Sequence, residues 1–384
     1  VPGGDLLNDV PLLREIQRVL LASTGPVNWE LARQIGIAMS AWDREDPAPT
    51  EADRQGFLDV VRLAELAVAD LTAMPAPSDL VTVEAVRRAR WVESNILGLR
   101  DLLEPVAARM AEAMSKAQLG ELPPGDEEGG PMLAGMLRQM SPLLLGAQVG
   151  MVLGYLAQRV LSQYDLAVPR ATGGLSFVVP NIAAFERDWS LDPREFRTFL
   201  AVHEVTHRFE FARPWVADHF LELVRDLVSH AEIDVSALSQ QVEGLDPSNP
   251  EALSEAFDSL GNVFGAASTP EQRLRVARVQ AFMAIVESYG DHVTDAVSRS
   301  LLPSRARIEE ALVRHREGRH GDRAMERLMG LEMTEEHYAL GRAFCERVVE
   351  QTSEATLSRV WGSADSLPSM PELEEPTLWL SRMA

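Results

Sequence analysis

The residues best suited to chemistry in this chain lie in one short run, Phe196 to Phe211, which contains His203-Glu204-x-x-His207. Side chains four apart share one face of a helix. Two imidazoles at that spacing can therefore reach a single zinc ion, at about 2.0–2.1 Å each. A carboxylate next to the first ligand is placed to take a proton from a metal-bound water. His203 and His207 read as metal ligands on this pattern, and Glu204 as the general base. The competing reading is a core helix with hydrogen-bonded histidines. It would have to bury three polar side chains and find a partner for each, at several kcal/mol for any left alone, by the ~2–7 kcal/mol scale for unpaired polar groups.

The elements around the motif must position it. Asp192-Pro193-Arg194-Glu195 has the grammar of a helix start, with Asp as cap, Pro in the first turn and Glu three residues on. Phe196, Phe199, Leu200, Val202, Val205 and Thr206 then form a broad apolar face, so the metal-binding helix is expected to be largely buried. Gly174 to Pro180 predicts a short strand just before it. Such a strand either supports the helix in a small sheet or offers an edge to an extended peptide.

Zinc in a catalytic site needs a third protein ligand and an open position. The pattern H-E-x-x-H-x-x-G-x-x-H would require glycine at position 210 and histidine at position 213. The chain has Glu210 and Arg213, which excludes that class. In the glutamate-type arrangement a later helix supplies a Glu, followed four residues on by an Asp that orients a ligand histidine. Glu287 and Asp291 have this spacing on one face of a later helical run. Tyr338, Tyr289 and His292 are candidates to stabilise an oxyanion, and sequence leaves the choice among them open. His315 and His320 stand in a polar, Arg-rich stretch and read as surface residues.

A formal net charge of −22 over 384 residues argues against nucleic acid or an anionic membrane as partner. The single cysteine, Cys345, excludes an intrachain disulfide and fits a cytoplasmic protein, as does the lack of a signal-peptide pattern at the start. Residues 139–158 carry no charge and are long enough to span a bilayer. Gly146, Gly150 and Gly154 recur there every four residues, and Pro142 and Gln148 interrupt it, which together predict a buried helix with a close-contact stripe.

Elsewhere helical periodicity predicts helices over 10–21, 29–42 and 50–72, then two over 81–117 broken near Pro105. Two more follow the metal-binding helix to about residue 266, interrupted near Pro247 to Pro250. A long helix opens at Thr269-Pro270, and others cover 304–317 and 334–355. The arginines Arg87, Arg88 and Arg90 read as a solvated face. The Pro- and Gly-rich stretch 122–131 reads as a connector or lid. The expected organisation is an N-terminal helical region, 1–121, the flexible loop 122–131, and a metal-binding region, 132–384, with packing of that region and the N-terminal helices into one compact unit as the alternative.

A family resemblance then becomes specific. Gly154-Tyr-Leu-Ala-Gln-Arg-Val-Leu-Ser-Gln-Tyr-Asp165, Phe177-Val-Val-Pro-Asn181 and the run Phe196 to His207 resemble the actinobacterial-type zincin-like proteins. So do Glu287-x-x-x-Asp291, His337-Tyr338-x-x-Gly341-x-x-Phe344 and the tail from Val360-Trp361 to Trp379. That group is regarded as zinc-dependent hydrolases, some linked to deazaflavin coenzyme biosynthesis. The resemblance, from about residue 26 onward, implies a mainly α (α+β) protein with a zincin-like helical core and a small β-sheet next to the metal-binding helix. It implies zinc held by His203, His207 and Glu287, with Tyr338 as a catalytic group. The function expected is a metallopeptidase acting on a peptide or small amide. The alternatives are an amide or ester hydrolase of a small metabolite and an inactive zincin-like binding protein.

Overall fold

The computed structural model describes residues 25–120, 129–165, 168, 174–230, 269–317 and 333–384. The expected helix at 10–21, most of the 122–131 connector, the break near 247–250, the His315 side chain and His320 lie outside the described residues. Helices dominate, in the order α1 (Trp29–Ser40), α2 (Glu51–Thr72), α3 (Arg88–Gly120), α4 (Gly129–Ala157), α5 (Val179–Asp188) and α6 (Pro193–Phe211). After these come α7 (Pro214–Ser229), α8 (Pro270–Leu301), α9 (Arg305–Glu317), α10 (Glu335–Gln351), α11 (Glu354–Leu357), α12 (Met370–Glu374) and α13 (Pro376–Met383). Strands β1 (Val83–Val86) and β2 (Leu175–Val178) pair in parallel, with Val83 opposite Leu175 and Val86 opposite Val178. The fold is thus mainly α with a small sheet beside α6, of the zincin-like kind.

The chain forms two compact units. One contains α1, α3 and α4, and the other contains the sheet and the remaining helices. Within the first unit α3 and α4 pack together.

In the first unit α1 lies against α4, and the glycine spacing is the reason. A Cβ at Gly146 would come 2.4 Å from the carbonyl oxygen of Asn28, and one at Gly150 2.6 Å from that of Ala32. At Gly154 it would meet the Met39 Cβ at 2.3 Å. Only backbones without side chains can approach so closely. The uncharged run is accordingly a packed helix, and among the described residues no helix is long and apolar enough to cross a membrane.

Two expectations for 81–117 need correction. Its first residues form β1, whose partner strand comes much later in the chain, and the rest is one helix that runs through Pro105. Leu102, Leu103, Val106 and Ala107 are buried on both sides of the proline. Their burial outweighs a local break of about 3 kcal/mol. Arg88 is no solvated residue either, being 3 % exposed and donating to the Glu45 carbonyl at 2.9 Å.

In the second unit α6 sits between α2 and α8. Its start is as expected, with Asp192 Oδ1 accepting from the Glu195 N–H at 2.9 Å and Pro193 opening the first turn. Two arginines fasten it. Arg208, 2 % exposed, donates to Glu65 of α2 at 2.7 Å and to the Asp79 carbonyl at 2.7 Å. Arg197 pairs with Glu186 at 2.7 Å and Asp53 at 3.7 Å, and lies over the Phe57 ring.

Strand β2 offers no edge to a peptide. One side pairs with β1, and on the other the Val178 N–H donates to the Leu161 carbonyl at 2.8 Å and Ser162 bridges Phe177. All four β2 residues are buried, with Phe177 stacked on Phe57 at 4.3 Å. The strand supports α6, and strand addition to it is ruled out.

Two glycine substitutions test how packing divides between tight and open positions. Gly150→Ala should destabilise by roughly 1–3 kcal/mol through overpacking. Gly56→Ala, where nothing lies within 4 Å, should gain up to about 1 kcal/mol of helix propensity. Urea denaturation of both variants checks the contrast.

Candidate metal centre

Helix α6 brings His203 and His207 onto one face, with ring centroids 4.6 Å apart and planes at 81°. His207 is fully buried. Its ring stacks on Phe211 at 5.6 Å and stands 5.8 Å from Tyr164. On the facing helix α8, Gly290 leaves room for it: a Cβ there would come 2.7 Å from His207 Cε1 and 2.9 Å from Nε2. His203 keeps 15 % exposure at its side chain, so the paired rings have one buried member and one that still meets solvent.

The partners of these groups decide what they can do. His207 Nδ1 lies 2.9 Å from Glu210 Oε2, a contact between two fully buried side chains. Among the described residues, His207 Nε2 and Glu210 Oε1 are buried without a hydrogen-bond partner. Glu204 is fully buried, and its two oxygens accept from the Tyr164 N–H at 3.1 and 3.0 Å. Its Oε1 stands 3.8 Å from His203 Nδ1.

Charge separates the two histidines. Burial opposes protonation of His203, but the nearby carboxylate of Glu204, with the charges of Asp291 and Glu287 adding to it, prevails and raises it to about 9. Burial, together with the charge of His203, pushes His207 down to about 3, against the pull of Glu204 and Asp291. Burial likewise lifts the Glu210 carboxyl well above the usual carboxylate range, opposed by His203 and Arg213. His207 is therefore a neutral imidazole, the form that binds metal.

Glu287 and Asp291 stand on α8, close enough to act on His203 by charge, Glu287 half-buried and Asp291 exposed. Among the described residues no three His, Cys, Asp or Glu side chains are already grouped around an ion position. The oxyanion candidates separate. The Tyr289 hydroxyl bonds Ser358 Oγ at 2.9 Å, its ring meets Trp361 edge-on, and burial raises its phenol. His292 Nε2 lies 3.0 Å from Glu354. Tyr338, half-buried near the start of α10, accepts through its carbonyl from Ser288 Oγ at 3.4 Å, which places it beside the residue following Glu287.

Three participants were not singled out from sequence. Glu210 holds the far nitrogen of His207, and its signal was the H-x-x-E spacing of adjacent helical turns. Gly290 carried the signal of a glycine inside a helix, where it costs about 1 kcal/mol relative to alanine. Tyr164 acts through its backbone, which leaves no trace in residue type.

A zinc ion is testable against this donor set. A buried imidazole nitrogen that finds no hydrogen bond, on a ring whose other nitrogen meets a carboxylate, is what a ligand histidine requires. His203 and His207 fit two of the ion's positions, and Glu287 acts on the same pair from α8 by charge. The comparisons agree on the class: the model for zincin-like metallopeptidases matches residues 27–380, and the chain belongs to that family. Among solved structures it is similar to the crystal structure of a candidate hydrolase with a novel fold from Chloroflexus aurantiacus. The two share 33 % identity over 93 % of this chain and 98 % of that one, with a TM-score of 0.64. No curated protein matches. Family and neighbour together support an enzyme of the hydrolase class.

The depressed His207 predicts an acid limb in the metal-free protein. The unfolded chain takes up this proton below about 6.5, whereas the folded one does so only near 3. The stability contributed by a neutral His207 is therefore complete above about 6.5 and lost as pH falls towards 3. His207→Gln, which cannot charge, should show a shallower loss over that window when thermal midpoints are followed against pH.

Proposed function

We propose that this chain is a zinc-dependent metallopeptidase, with a peptide or small amide as substrate. The observation that carries the reading is the fully buried Nε2 of His207, without a partner among the described residues and one helical turn from His203. His203, His207 and Glu287 would hold the ion, with Asp291 adding negative charge beside them. When bound there, zinc would lower the pKa of water towards about 7 and polarise the substrate carbonyl.

The chain's own residues supply the proton handling. Glu204 takes the proton of the attacking water and returns it to the leaving amine. The Tyr164 N–H holds that carboxylate in one orientation. Tyr338 is assigned to the oxyanion; its backbone carbonyl accepts from Ser288 Oγ, next to Glu287. The net charge of −22 disfavours nucleic acid as a partner.

One observation favours a second reading, a binding protein without catalysis: Glu204 has no exposure and is already engaged by a backbone amide. The two readings part on experiment. Mass spectrometry should find about one zinc per chain in the wild type and far less in His203→Ala. Glu204→Gln should keep the zinc and lose hydrolysis of a peptide library by roughly 10²–10⁴-fold. Zinc retained in a wild type that cleaves nothing would select the binding protein, and absence of zinc from the wild type would remove the metal centre.

A further inference from the structure

Glu210 lies outside the set of residues that would touch the ion or the substrate, yet it is fully buried and its carboxyl group is spent on one ring nitrogen. We propose that Glu210 is the positioning residue of the centre: it accepts the Nδ1–H of His207 and so presents a bare Nε2 to the ion. The inference rests on the metal-binding reading above and assigns to Glu210 a role that the E-x-x-x-D spacing suggested for Asp291.

Three observations carry it. A neutral imidazole has one proton, and the partner of one nitrogen decides which nitrogen is left bare. Glu210 Oε2 sits 2.9 Å from Nδ1, whereas Nε2 has no partner among the described residues, so a proton on Nε2 would be a stranded buried donor; burial tilts Glu210 towards the neutral acid, whose carbonyl oxygen still accepts the Nδ1–H. His207 and Glu210 are three residues apart on α6, so the helix itself sets their separation. The ring cannot swing away, because Phe211 stacks on it and the α8 backbone at Gly290 lies against its Cε1–Nε2 edge. Asp291 is exposed, and it acts on both histidines through its charge.

The test combines affinity with a direct view of the ring. Zinc affinity, measured by chelator competition, is compared among wild type, Glu210→Gln and Glu210→Leu, with circular dichroism reporting the fold. Removal of an outer carboxylate should weaken zinc about 10–100-fold, with Leu at the larger end. If the Leu variant fails to fold, the nearly isosteric Gln variant carries the comparison. In parallel, long-range proton–nitrogen spectra of ring-labelled histidine read the tautomer of His207 in metal-free and zinc-loaded wild type. The expected pattern is Nδ1-protonated in both. Unchanged zinc affinity in Glu210→Gln and Glu210→Leu, or an Nε2-protonated His207 in the metal-free protein, would overturn the proposal. A wild type that takes up no zinc defeats the metallopeptidase reading instead, and the ring spectrum then decides alone whether Glu210 holds His207.

Discussion

Glu204, His207, Arg208 and Glu210 leave water together along the second half of α6, all at 2 % exposure or less. Buried ionisable groups are costly unless each is paired or neutral, and much of the second unit is arranged around this constraint. Arg208 is answered by Glu65 on α2 and by the segment at Asp79. Glu204 takes the Tyr164 amide, and Glu210 takes His207. The pairing is incomplete at His207 Nε2 and Glu210 Oε1. An orphaned buried group by itself destabilises, so these two bare atoms are a cost that the described residues leave standing.

Close backbone approach is the second device. Gly290 lets α8 come up against the His207 ring, and the glycines of α4 let α1 lie directly upon it. The physical effect is the same in both units: a missing Cβ shortens the distance between elements and removes freedom from what lies between them. Next to His207 this has a chemical consequence, because a ring held on several sides keeps its nitrogen in one direction.

Membership of the zincin-like metallopeptidase family and the likeness to a candidate hydrolase agree with this picture at the level of class. What the chain adds is an unequal pair of histidines. His203 meets solvent and sits in the field of Glu204, Asp291 and Glu287, while His207 is sealed in and kept neutral.

Much of this was written locally. The caps at Thr50, Asp192 and Thr269, the buried face of α6 and the shared face of His203 and His207 depend on hydrogen bonds and periodicities spanning a few residues. They could be read directly from the sequence. The glycine repeat of α4 was legible for the same reason, as a face that needs a close neighbour. The pairing of β1 with β2, the continuity of α3 through Pro105 and the burial of Arg88 were not, because each is decided by a segment distant in the chain. The roles within the centre divide the same way. Sequence spacing nominated the ligands and the base, whereas the choice of Glu210 for His207 Nδ1, of Tyr164 for Glu204 and of Ser358 for Tyr289 came from packing. Residue types state which hydrogen bonds a side chain can make, and only the tertiary structure, by removing water and bringing one partner near, states which of them it does make.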